Sequence, residues 1–282
     1  MRTLIFGTNG QLGRDLLGIF GEQDAVSGFD LPDVDIRDRD MVIKLVRDIG
    51  PELVINSAAF TDVEGAEDRP DDAFAVNETG ARNVAAAAHL AGVPVVYYST
   101  DYVFDGTKGS PYEPDDPIAP LGVYGRSKAA GEAATREANK RHFIIRTAWL
   151  YGPGGNNFVE KILRAAAARP SLRVVDDEVG SPTHTQDLAA ATLELCQTDA
   201  FGTYHAVNSG WCSRYEFARA ILADAEITIP VEPCPSSEYP MKAPRPSYSV
   251  LSNTKLEKAT PHKMRSWRQA LEAYMERKEA QG

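Results

Sequence analysis

Tyr124 and Lys128 stand four residues apart in Tyr124-Gly125-Arg126-Ser127-Lys128, within a stretch, 121–138, whose pattern predicts a helix. That spacing puts a phenol and an ammonium on one helical face, where both can enter one cleft. A free tyrosine titrates near ~10, too high for an efficient proton relay at neutral pH, and a nearby ammonium stabilises phenolate and lowers that value. The pair therefore suits delivery of a proton to a carbonyl oxygen while hydride reaches its carbon. Ser99-Thr100 ends an apolar run, 95–98, and Thr100 can donate a hydrogen bond that holds the carbonyl against Tyr124. In a chain with 11 tyrosines the Tyr–Lys spacing recurs by chance, so its weight comes from what precedes it.

What precedes it is a glycine turn. Gly7-Thr8-Asn9-Gly10-Gln11-Leu12-Gly13 follows the short apolar run 3–6 and opens a periodic stretch, 11–20. A pyrophosphate needs backbone N–H groups at a helix N-terminus with no side chain in the way, and Gly7, Gly10 and Gly13 meet that need. The pattern is Gly-x-x-Gly-x-x-Gly rather than the Gly-x-Gly-x-x-Gly of the dinucleotide fingerprint. Asp30, at the end of a second run, 25–29, can accept from adenosine ribose hydroxyls. Its charge opposes the extra phosphate of NADPH, which leans toward NADH; the alternative is an Asp that starts the turn into Leu31-Pro32. Asn56-Ser57-Ala58-Ala59 ends a third run with small residues, which suit either a passing ribose or tight packing.

The elements that must position these residues alternate. Apolar runs at 3–6, 25–29, 53–55, 95–98 and 143–145 are separated by helical stretches at 11–20, 37–49, 71–90 and 121–138. Strands without polar alternation between helices predict a parallel sheet covered on both faces. The expected fold is α/β, a doubly wound Rossmann-type parallel sheet with a second, smaller substrate-binding lobe. Residues 1–150 form the dinucleotide-binding domain, rejoined by about 184–210 and 262–280; about 151–183 and 211–261 form the lobe. Helices are expected at 157–168, 187–195 and 266–277, strands at 172–175 and 203–207. The proline-rich 231–247 reads as loop or extended chain.

Composition narrows the partners. The 282 residues carry a net charge of −10 with no Lys/Arg cluster, which speaks against a nucleic-acid or anionic-membrane partner. The longest N-terminal apolar run, 4–6, is too short for a signal peptide or membrane span, so a cytoplasmic protein is expected. Cys196, Cys212 and Cys234 are widely spaced and read as reduced packing residues. The five histidines show no metal-ligand spacing, and no metal site is assigned.

With these residues in order, the chain resembles the extended short-chain dehydrogenases and, within them, the dTDP-4-dehydrorhamnose reductases. The matching blocks are the glycine turn, Asn56-Ser57-Ala58-Ala59-Phe60-Thr61, Ser99-Thr100-Asp101-Tyr102-Val103-Phe104-Asp105-Gly106 and Tyr124-Gly125-Arg126-Ser127-Lys128. Arg146-Thr147-Ala148-Trp149-Leu150-Tyr151-Gly152 and Arg245-Pro246-Ser247-Tyr248-Ser249-Val250-Leu251 extend the match over nearly the whole chain. The resemblance implies reduction of the 4-keto group of dTDP-6-deoxy-L-lyxo-4-hexulose to dTDP-L-rhamnose. It implies Thr100, Tyr124 and Lys128 as catalytic residues. It places Gly7, Gly10, Gln11, Leu12, Gly13, Asp30, Asp35, Ile36, Ala58, Ala59, Thr61, Tyr124 and Lys128 at the cofactor, NADPH or NADH. Thr100, Asp101, Tyr124 and Trp149 fall at the sugar, and Arg245 near the diphosphate. Some family members form magnesium-bridged homodimers; Asp15 matches one ligand position and nothing establishes the rest. Two alternatives stay open. A 4,6-dehydratase or 4-epimerase shares the fold, although a dehydratase would follow the threonine with Asp-Glu where this chain has Asp101-Tyr102. A regulatory subunit such as the methionine adenosyltransferase β subunit keeps the pocket without turnover.

Overall fold

The computed structural model describes residues 1–22, 25–239 and 241–279. Its main sheet is all parallel and six-stranded. Strands β1 (Arg2–Phe6), β2 (Ala25–Phe29), β3 (Leu53–Asn56), β4 (Val95–Thr100) and β5 (His142–Thr147) supply five positions. The short β6 (Leu150–Tyr151), β7 (Leu172–Val175), β8 (Val179–Gly180) and β9 (Thr183–His184) lie outside that sheet, and β10 (Gly202–His205) completes it. Two further strands, β11 (Cys212–Ser213) and β12 (Val231–Cys234), pair with β8 and β7 respectively. The order β10-β5-β4-β3-β1-β2 reverses direction between β1 and β3, and at that switch point the carboxyl ends of the strands leave a crevice.

Successive residues of each strand face opposite layers. Ile5, Ile55, Val96 and Ile145 pack with Leu12, Leu16 and Phe20 of helix α1 (Gln11–Gly21) on one side. Leu4, Phe6, Val54 and Val95 pack on the other with Val42 and Val46 of α2 (Arg39–Ile49). The doubly wound core expected from the uninterrupted apolar runs is present. A separate core gathers Tyr151, Phe217, Ile221, Leu271 and Tyr274 with Val159 and Ile162 of α7 (Phe158–Ala168), all beyond the fifth strand, while α8 (Thr185–Cys196) packs in the sheet-side core through Leu188 and Leu195. The helix holding Leu271 and Tyr274 therefore packs in this second core. Position 280 lies outside the described residues. No helix among the described residues is long and apolar enough to cross a membrane.

Departures from the expected elements have local causes. The stretch 71–90 is helical throughout but not uniformly: after α3 (Val63–Asp68), α4 (Pro70–Phe74) runs into a π-helical turn, Ala75–Gly80, and on into α5 (Ala81–Leu90). The wide turn lets Asn77 work sideways. Its amide donates to Phe60 O and Ser127 Oγ, its Oδ1 accepts from Phe60 N, and its backbone carbonyl accepts from Tyr97 Oη. In 231–247 the first four residues form β12, Pro233 included, because a two-stranded ladder with β7 leaves one side of the strand unpaired.

The element that matters most is α6 (Val123–Ala138), which carries Tyr124 and Lys128. Its N-cap, Gly122, has no side-chain cap; Glu67 from α3 reaches across and accepts from Val123 N at 2.7 Å. Further along, Glu132 is 1% exposed and takes both ends of the Arg146 guanidinium, at 2.8 Å and 2.7 Å, while Arg146 also donates to Pro114 O at 3.0 Å. This bidentate pair fixes α6 on β5. Removing one partner strands a charge in the interior, so Glu132→Ala is expected to cost about 3–5 kcal/mol in urea denaturation. A loss within 1 kcal/mol, roughly a surface pair's worth, would show that the pair does not hold the helix.

Candidate active site

One cleft of about 1480 Å³ opens at the switch point. Every residue expected at cofactor or substrate lines it: the three turn glycines with Gln11 and Leu12, then Asp30, Asp35, Ile36, Ala58, Ala59, Thr61, Thr100, Asp101, Tyr124, Lys128, Trp149 and Arg245. The backbone explains the glycine turn. Gly7 has φ +87, and a Cβ there would stand 2.4 Å from Ala58 N; one on Gly13 would stand 2.1 Å from Gly7 O. Only glycine lets the β1 turn press against the end of β3 and against the start of α1. Gly10 caps α1 without a side chain, so the amides of the first turn stay available to an anion.

The cofactor end meets its expected ligand with several groups already engaged. Asp30 accepts from Asn9 N and Leu31 N, both at 2.7 Å, so its first task is to hold the glycine loop; a carboxylate keeps lone pairs beyond those two bonds. Gln11 bridges to Leu150 O and accepts from Asn157, tying α1 to the chain beyond β5. Asp35 is gripped by Arg37, whose nitrogens lie 2.6–3.0 Å from its carboxylate oxygens, and this cation holds the Asp35 carboxyl below its ordinary value. Arg37 also lines the cleft, a cation absent from the residues expected there. Buried polar atoms without protein partners, Asn56 Nδ2, Ser99 Oγ and Thr147 Oγ1, belong to cleft residues. Such orphans are costly unless a ligand satisfies them, and with the open helix N-terminus they fit a nicotinamide dinucleotide.

The reaction end is lined by aromatic rings. Tyr124 packs edge-on against Tyr102 with ring centroids 5.6 Å apart. Lys128 is 3% exposed, and its Nζ sits 4.2 Å from the centroid of the Tyr97 ring. The expectation that Lys128 lowers the Tyr124 pKa meets a correction here. Burial pushes the Tyr124 phenol up, and the Asp101 and Tyr102 charges add to that; the Thr100 hydroxyl alone works the other way. Burial likewise pulls Lys128 down to about 7, only partly offset by Glu132. Desolvation acts against both ionised forms and is the largest influence on each. Thr100 also differs from expectation: its hydroxyl donates to Asp101 Oδ1 at 3.0 Å.

Trp149 takes φ 47, a left-handed conformation unusual for a bulky residue. Its ring is clamped from two sides. Arg214 lies over one face with its Cζ 3.4 Å from the ring centroid, and a Cβ on Gly180 would stand 2.5 Å from the ring. Arg214 opens α9 (Arg214–Asp224), an element absent from the expectations although Ser213 and Glu216 form the reciprocal capping box that announces it. Arg245 lines the same region and donates to Glu64 at 3.1 Å, while its Nε is buried without a partner. No group of three or more His, Cys, Asp or Glu placed to hold a metal occurs among the described residues. Asp15 instead accepts from the Thr185 hydroxyl.

Comparison with known proteins agrees with this geometry. A family model described as the RmlD substrate binding domain matches residues 1–280. The chain belongs to that family. The RmlD-type chain is 41% identical over 280 residues to the spore coat polysaccharide biosynthesis protein SpsK of Bacillus subtilis, covering 98% of this chain and 97% of the other. It is 42% identical over 282 residues to the dTDP-4-dehydrorhamnose reductase of Mycobacterium tuberculosis, covering 96% and 91%. Among solved structures, the dTDP-4-dehydrorhamnose reductase of Bacillus anthracis in complex with NADP superposes with a TM-score of 0.95 at 40% identity, covering 98% and 99%.

A buried lysine that titrates near 7 has a consequence for this RmlD-type site. Its ammonium is present below about 7 and is lost as pH rises through that value. Turnover that needs the cation is expected to fall on the alkaline side with a midpoint near 7. Lys128→Arg, with a guanidinium that stays charged, is expected to remove that limb at reduced overall rate. A limb that persists unchanged in the arginine variant would assign it to another group.

Proposed function

We propose that this chain reduces the 4-keto group of dTDP-6-deoxy-L-lyxo-4-hexulose to give dTDP-L-rhamnose, with Tyr124 as proton donor. The reading is supported by the relatives' shared activity and by one observation above all: Thr100, Tyr124 and Lys128 line the same cleft as the glycine turn. Reduced nicotinamide, as NADPH or NADH, supplies hydride to the carbonyl carbon when bound. The residues do the rest. Tyr124 stands protonated throughout the neutral range because burial holds its proton on, which is the state a donor requires. In this reading the Lys128 ammonium, one helical turn along α6 from Tyr124, offsets the charge left on the phenol after transfer. Thr100 holds the oxygen beside the phenol. Trp149, clamped by Arg214 and Gly180, gives the sugar a rigid wall, and Arg245, with an unpaired buried nitrogen, faces the diphosphate.

Asp30 admits both cofactors in this reading. It holds the loop through two amides, while Arg37 provides a cation in the same wall of the cleft. We place the substrate lobe at about 151–183 and 211–261, joined by the closing helix α11 (Trp267–Glu279), whose apolar face lies in the lobe core; α10 (Thr254–Ala259) contributes Leu256 to the sheet-side core. In this reading the protein is cytoplasmic, without nucleic-acid or membrane partners, which its acidic composition supports, and acts as a homodimer.

Tyr124→Phe tests the assignment. It is expected to lower keto-sugar turnover by about 10²–10⁴-fold, the range for loss of a positioned acid, and to leave the Kd for NADPH within about two-fold. Turnover within a few-fold of the parent would remove Tyr124 from the mechanism. Intact NADPH binding with no turnover of any dTDP-4-keto sugar by the parent protein would favour a regulatory subunit.

A further inference from the structure

Asp101 is 2% exposed, and both its oxygens are taken by hydroxyls rather than by a cation. Oδ1 accepts from Thr100 Oγ1 at 3.0 Å, and Oδ2 accepts from Ser249 Oγ at 2.6 Å. Thr100 Oγ1 in turn accepts from Tyr102 N at 3.2 Å. A hydroxyl has one proton and two lone pairs. While Thr100 gives its proton to Asp101, it has none to offer a carbonyl oxygen in the cleft. Ser249 comes from a distant segment held by the lobe: its N–H donates to Val179 O at 2.8 Å.

We propose that Asp101 is a positioning residue that sets which way the Thr100 hydroxyl points, with Ser249 as the group that tunes it. When Asp101 is neutral, its Oδ1–H donates to Thr100 Oγ1, whose second lone pair keeps the Tyr102 amide, and the Thr100 proton turns to the substrate carbonyl. When Asp101 is ionised, the Thr100 proton is held on the carboxylate and the carbonyl loses that donor. No proton is created or consumed in the turn; one moves between solvent and Asp101. This rests on the reductase reading and adds to it the state of a residue that touches no reacting atom.

The surroundings favour a proton on Asp101. Tyr124 from α6 and Tyr102 stand beside it, and neither can neutralise a carboxylate. Arg214 from α9 is the cation that acts on it, and Arg214 is itself shared with Glu178 and opposed by Arg245. Burial therefore prevails over the Ser249 and Thr100 hydrogen bonds and over Arg214, and lifts the Asp101 carboxyl to about 6. The sign follows: the proton is held below about 6 and lost as pH rises through it, so the Thr100 donor is lost in the same direction.

The test uses the NADPH-loaded full chain. Infrared difference spectra between acid and alkaline pH are expected to contain a buried carboxylic-acid C=O band that D101N removes. In kcat against pH, Ser249→Ala deletes a hydrogen bond to a charged acceptor, worth about one pKa unit, so the lower of the two alkaline limbs is expected to move up by about one unit. D101N, whose amide donates to Thr100 permanently, is expected to turn over without that limb, while D101L loses at least about ten-fold at every pH. Carrying Lys128→Arg alongside Ser249→Ala and D101N removes the Lys128 limb near 7, on which the shifted Asp101 limb would otherwise fall, so the two are told apart. The proposal is overturned by an unmoved limb in Ser249→Ala, by a carboxylic-acid band that survives D101N, or by natively folded D101N as inactive as Thr100→Val. Failure of the reductase reading shows separately, as NADPH binding with no keto-sugar turnover by the parent protein, and leaves the infrared result to judge Asp101.

Discussion

The buried pair between Glu132 and Arg146 is the contact on which the site depends. Two charges, each at most 3% exposed, meet in bidentate geometry, and Arg146 spends its remaining nitrogen on Pro114 O. Burying a charge pair gives little net stability, since desolvation consumes most of the attraction. What it gives is registry. Glu132 lies two turns beyond Tyr124 on α6, and Arg146 lies on β5 next to the strand that ends in Thr100. An apolar contact could slide; this one fixes the phenol of one element against the hydroxyl of another. Glu67 at the N-terminus of α6 and Asn77 at Ser127 hold the same helix from the other side.

The titrating groups of the site are governed by burial before they are governed by each other. The Tyr124 phenol, the Lys128 ammonium and the Asp101 carboxyl all shift toward their neutral forms. The tyrosine is thereby kept as an acid, and the lysine is left close to the point where it loses its charge. The cleft thus favours uncharged forms of all three groups until charge develops in it.

Much of this was legible in the sequence because the chemistry is local there. The apolar runs 3–6, 25–29, 53–55, 95–98 and 143–145 correspond to the first five strands, and the glycine turn, Ser99-Thr100 and Tyr124/Lys128 line one cleft. What escaped notice depends on distant partners. The π-helical turn within 71–90 holds Asn77 against Phe60 and Ser127, a contact no helical periodicity reports. Strand Val231–Cys234 hides behind its proline because its partner is β7. Arg214 over Trp149, Glu64 on Arg245 and Ser249 on Asp101 each join residues more than 60 positions apart, or from separate lobe segments. Helix α9 is different: its Ser213–Glu216 capping box was readable and carried the signal.

The central claim is that this cleft moves hydride to C4 of a nucleotide-linked keto sugar. Turnover with NADPH deuterated on the transferring face, followed by mass and NMR analysis of the sugar, tests it most directly. One deuterium at C4 of the product, with one cofactor oxidised per sugar, is the expected result. Sugar product without deuterium, or deuterium at another carbon, would contradict the account, as would epimerised sugar formed with no net oxidation of cofactor.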